Sequence, residues 1–69
     1  MARMIVDLEL EVDGRWLAEI PRIPGALSYG STREEAIARV EALALRVLAD
    51  RLEHGEMPVE LTEVFSVAV

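Results

Sequence analysis

VELTEVFSVAV, residues 59–69, is the stretch on which the fold turns. Leu61, Glu63, Phe65, Val67 and Val69 fall on one side of an extended chain, and Thr62, Val64, Ser66 and Ala68 fall on the other. Such period-two alternation marks a strand resting on a core. Neither side is strongly polar towards the end, so both are expected to be covered. No lysine or proline after Pro58 blunts the edge, which leaves it open to pairing with another chain. Read as a strand it is the fourth, and it decides whether the sheet is mixed.

The elements before it follow from the same kind of pattern. In MIVDLELEV, Met4, Val6, Leu8, Leu10 and Val12 alternate with Ile5, Asp7, Glu9 and Glu11. Asp13-Gly14 then predicts a two-residue hairpin turn. RWLAEI returns with Trp16, Ala18 and Ile20 on the core side and Arg15, Leu17 and Glu19 outside. A connector with Pro21, Pro24 and Gly25 leads to a short third strand, ALSY, ended by Gly30. The helix follows over STREEAIARVEALALRVLADRLEHG. Thr32 and Glu35 form a capping box, with Ser31 and Glu34 as the alternative register. Gly55 supplies a left-handed stop after His54, and Pro58 prevents resumption.

A helix between the third strand and the last returns the chain so that the fourth strand runs parallel to the first. A right-handed crossover then sets it beside the first strand. The expectation is an α+β two-layer sandwich, β-β-β-α-β, with one helix on a mixed four-stranded sheet of order 3-2-1-4 and residues 1–69 as one domain. That topology resembles a degraded ribonuclease H core.

The helix carries more apolar surface than one sheet needs. Its Leu, Val, Ile and Ala residues cover roughly 200° of the wheel, where a stripe of ~100° suffices. The excess points to a flank that meets another subunit or partner, Leu45 and Leu52 included; the plain alternative is a wide stripe without consequence. Small domains often recover stability by associating. A dimer or higher homo-oligomer is therefore expected.

Charge and composition exclude several functions. The net charge is −6, and the seven basic residues are scattered arginines, so direct nucleic-acid binding is disfavoured and a basic protein partner favoured. No apolar run is long enough to span a bilayer, and the acidic N-terminus is unlike a signal peptide, which suggests the cytoplasm. Absence of Cys, Lys, Asn and Gln fits a heat-adapted composition or codon bias. Without cysteine, and with His54 alone, no metal cluster or cofactor is expected. Asp7, Glu41 and Glu63 are the nearest match to a two-metal carboxylate set, but Asp7 shares a solvent face with Glu9 and Glu11. Ser28, Ser31 and Thr32 lie in no nucleophile motif. No catalytic residue is nominated. Tyr29, beside Gly30, is either an interface anchor or simple packing.

With these residues in place, the chain resembles the HicB family of antitoxins. The family's pattern is carried by Ile20-Pro21-Arg22-Ile23-Pro24-Gly25-Ala26, then Tyr29-Gly30-Ser31-Thr32, then Glu34-Glu35-Ala36. The preceding hairpin and the Ala/Leu-rich helix match as well. The resemblance implies a ribonuclease-H-like domain without catalysis that masks a small basic RNA-cleaving toxin. Arg22 stands where the family has an acid, and Ala26 where it has cysteine. The chain stops at Val69 without the DNA-binding segment common in such antitoxins, which fits a solitary form. An orphan self-associating module without a toxin is the alternative. The expected interface residues are Arg22, Tyr29, Leu45, Leu52, Phe65 and Val67. Pro21, Pro24, Gly25, Gly30, Thr32 and Glu35 are expected to define the connector.

Overall fold

The alternating segments pair as an antiparallel meander. A computed structural model describes residues 3–58 and 65–68. Strands β1 (Asp7–Leu10), β2 (Trp16–Glu19) and β3 (Leu27–Gly30) form a three-stranded sheet in chain order, followed by helix α1 (Arg33–Glu53). Leu8 lies opposite Ala18 and Leu10 opposite Trp16, so the apolar sets of β1 and β2 share one face. That face is inner, because α1 packs on it, chiefly over β3 and β2.

The β1–β2 turn differs from the two-residue hairpin expected of Asp13-Gly14. Glu11 N–H donates to the Arg15 carbonyl at 2.8 Å, and Gly14 N–H donates to the Glu11 carbonyl at 3.0 Å. Gly14 has φ +89, and among the described residues no non-glycine takes a positive φ. A two-residue primed turn would need one at Asp13. A three-residue loop with a left-handed glycine meets the same hairpin twist without that strain. The longer loop also keeps Leu8 and Leu10 in register with the inner face.

The connector from β2 to β3 is two consecutive turns. Ile23 N–H donates to the Ile20 carbonyl and Ala26 N–H to the Ile23 carbonyl, both at 3.0 Å. In the second turn Pro24 and Gly25 are the central pair. Proline presets φ for the first position, and Gly25, at φ +87, meets the positive φ a type II turn demands at the next. The turns drive Ile23 and Ala26 into the core, where both are almost wholly buried.

Helix α1 starts and stops on local signals. Thr32 accepts from the Glu35 N–H at 3.1 Å, and the Glu35 carboxylate reaches back to the Ser31 N–H at 3.0 Å. At the other end, Gly55 N–H donates to the Leu52 carbonyl and Glu56 N–H to the Arg51 carbonyl, with Gly55 at φ +86. This is a Schellman closure, which satisfies carbonyls left without helical partners.

The expected mixed four-stranded sheet, order 3-2-1-4, is overturned: among the described residues the sheet is three-stranded and wholly antiparallel. With it goes the ribonuclease-H-like topology, which rested on a fourth strand beside β1. Most of that strand, 59–64 and 69, lies outside the described residues; 65–68 pair with no strand, and their side chains are exposed. Alternation shows that a segment suits a sheet surface, but carries no information on which edge it joins. The buried core is consequently small: Ala18, Ile20, Ile23, Ala26, Ala36, Val40, Ala44 and Leu48. Four of these are alanines, which bring helix and sheet close but bury little apolar area each.

Candidate functional site

Two surfaces on opposite sides of the sheet hold the side chains with chemistry to offer. On the outer face, Asp7 of β1 stands directly opposite Glu19 of β2, and Glu9 opposite Leu17. On β3 the same rows continue as Leu27 and Tyr29. Acids therefore occupy the β1 side of this face and apolar groups the β3 side. Like charges facing each other across strands are destabilising. Among the described residues no ion pair involves Asp7, Glu9 or Glu19.

Arg15 packs against the β3 side of that face. Its Nε meets Asp13 Oδ2 at 2.7 Å, and its guanidinium carbon lies 4.4 Å from the Tyr29 ring centroid. The Arg15 backbone N–H, then its side chain, hold the Asp13 carboxyl below its ordinary value, against a small opposing desolvation. Tyr29 is thus partly covered by Arg15 while staying 38% exposed. Arg22 sits in the connector and shares a shallow depression with Arg3, Ile5, Asp7 and Pro21 at the other end of the same face.

The second surface is a groove on the helix side. Because α1 lies over β3 and β2, the lead-in to β1 is covered only in part. Met4, Val6, Ile20, Ala44 and Leu45 line a groove of about 280 Å³, with Glu41 as its one charged residue. Leu45 is 61% exposed there. Leu52, two helical turns on towards the C-terminus, is exposed as well, as is Met57 beyond the helix. Along the opposite edge, Arg39 donates to the Tyr29 carbonyl at 3.0 Å and pairs with Glu35 at 3.3 Å, which covers part of β3.

The structure therefore divides the expected interface residues instead of gathering them. Arg22 and Tyr29 stand at two ends of the outer face; Leu45 lines the groove and Leu52 is exposed further along α1; Phe65 and Val67 are exposed on the C-terminal segment. Sequence reasoning missed Met4, Val6 and Glu41 as groove residues. Their signal was present in the alternation of Met4 and Val6, but a shifted helix is a tertiary feature. Of the carboxylates considered for metal binding, Asp7 faces outward and Glu41 lines the groove on the helix side, while Glu63 lies outside the described residues. Among the described residues no group of three or more His, Asp or Glu is placed to hold a metal ion. His54 caps the helix, its Nδ1 2.7 Å from the Asp50 carbonyl. Among the described residues no helix is long and apolar enough to cross a membrane. Compared with family models, curated proteins and solved structures, the chain matches none.

Proposed function

We propose that this chain is a non-catalytic protein-interaction domain of the cytoplasm, similar to HicB antitoxins, that binds and masks a small basic RNA-cleaving toxin. The observation that carries this reading is the outer face, where Asp7 and Glu19 oppose each other with Glu9 beside them and Leu27 and Tyr29 alongside. A partner with Arg or Lys over the acids would relieve their repulsion, and apolar contacts over β3 would add burial. The net charge of −6 steers a basic protein towards the domain and repels nucleic acid.

The test is tagged purification from native cells, with the partner identified by mass and sequence. A small basic protein at one-to-one yield, whose RNA cleavage is suppressed by added domain, is the expected result. Replacing Asp7, Glu9 and Glu19 by Asn, Gln and Gln should abolish capture. Recovery of no such protein, or capture indifferent to the triple replacement, overturns the reading. A second reading, a self-associating module, draws on a separate observation: Leu45, Leu52, Phe65 and Val67 are all exposed. Light scattering at micromolar concentration tests it, with a dimer or larger species expected and a monomer refuting it.

A further inference from the structure

We infer that the open edge of β1 takes up an extended segment of the basic partner as an added antiparallel strand. That segment carries Arg or Lys opposite Asp7 and Glu9 and apolar residues opposite Leu8 and Leu10. The inference rests on the basic-partner reading and adds the means by which the partner is held.

The two edges of the sheet differ. The Glu11 N–H donates to the Arg15 carbonyl at 2.8 Å, and the register continues with Glu9 opposite Leu17 and Asp7 opposite Glu19. Bonded and non-bonded pairs alternate along an antiparallel ladder, so Leu8 and Leu10 turn their N–H and C=O groups outward. Among the described residues no hydrogen bond meets those groups. On β3 the outward residues are Leu27 and Tyr29 by the same rule, since the Ile20 N–H donates to the Ala26 carbonyl at 2.9 Å. There Arg39 donates to the Tyr29 carbonyl at 3.0 Å, and the Leu27 N–H is bent back onto the Gly25 carbonyl at 3.0 Å. The β3 edge is thus partly closed and the β1 edge open. An open edge is a template for strand addition, in which main-chain bonds give affinity and alternate side chains give specificity.

The side chains of β1 specify the occupant. Residues directly opposite one another on neighbouring strands share a face. Asp7 and Glu9 are exposed on the outer face, with no ion pair among the described residues. On the inner face Leu10 is 57% exposed beside half-buried Leu8. A strand that alternates basic and apolar residues meets both rows at once. A second copy does not, because β1 against β1 sets one row of acids against another.

The probe is a capped synthetic peptide, Arg-Val-Arg-Val-Arg-Val, titrated into the full chain by calorimetry. Its isomer Arg-Arg-Arg-Val-Val-Val has the same charge and composition and should bind about tenfold more weakly or worse, for want of the alternation. N-methylation of the valines, whose amides face β1, should weaken binding by a similar factor, and N-methylation of the arginines should not. Equal binding of the two isomers, or indifference to valine methylation, overturns the edge assignment. If Asp7→Asn, Glu9→Gln and Glu19→Gln together abolish that binding, the basic-partner reading survives the loss. Binding unchanged by those three replacements overturns both. No binding of the alternating peptide at millimolar concentration overturns the inference, and the toxin reading keeps its own test in cells. On the protein side, Leu10→Pro removes an outward N–H and leaves the β1–β2 ladder whole. It should lose the peptide binding that Leu10→Val retains; a folded Leu10→Pro chain that binds as the parent does counts against the edge.

Discussion

Gly30 leaves the backbone less room than any other glycine. A Cβ there would lie 2.5 Å from the Ala36 backbone nitrogen and 2.9 Å from its Cα, so the first turn of α1 would have to move. Gly30→Ala is expected to cost about 1–3 kcal/mol through overpacking. Gly14 is the opposite case: open space surrounds it, but φ is +89. Gly14→Ala should cost about 1–2 kcal/mol from left-handed strain alone. Urea unfolding of the two variants checks both, and a Gly30→Ala protein as stable as the parent would refute the close approach. Asp13 offers a pH signature. Its folded pKa is depressed, so the Arg15 contacts contribute stability above the ordinary carboxylate range, lost as pH falls through the folded value. Stability measured from pH 6 down to 2 should therefore fall less steeply in Asp13→Asn than in the parent, by a small amount because the pair is exposed.

Elements that are bounded by local chemistry are legible in the chain; their partners are not. Helix α1 begins and ends on signals a few residues long: the Thr32 hydroxyl, the Glu35 carboxylate and the left-handed Gly55. Thr32→Ala removes the acceptor of the Glu35 N–H and should cost about 1 kcal/mol, read as a lower urea midpoint with unchanged slope. The inner and outer faces of β1 and β2 are equally readable, since Leu8 with Ala18 and Leu10 with Trp16 follow from alternation once the hairpin closes. Residues 65–68 show the limit. Phe65 and Val67 alternate with Ser66 and Ala68 as a strand would, yet pairing depends on an edge far away in sequence. The offset of α1 towards β3 is hidden for the same reason: a 200° apolar arc says that something is covered, and only packing says which part. Arg22 and Tyr29 are divided from Leu45 and Leu52 because the first two stand on the outer face of the sheet and the last two on the helix that covers its inner face.

At the scale of the whole molecule, charge and apolar area are segregated across the sheet, so the two proposed partnerships should respond to different variables. Binding through Asp7, Glu9 and Glu19 should weaken on the order of tenfold when salt rises from 0.1 to 1 M, as the Debye length shrinks from about 10 to 3 Å. Self-association through Leu45, Leu52, Phe65 and Val67 should hold or tighten over the same range, because it buries apolar surface. Titration calorimetry at both salt concentrations separates them; a salt-sensitive dimer would mean that the outer face takes part in it. The alanine-rich core has a thermal consequence as well. Ala18, Ala26, Ala36 and Ala44 make up half of the buried set and hydrate little when the chain opens. The heat-capacity increment of unfolding, which scales with apolar area exposed, is therefore small for the isolated chain. Its stability should vary gently with temperature, giving a shallow curve and a broad melt, and cold should do little to loosen it.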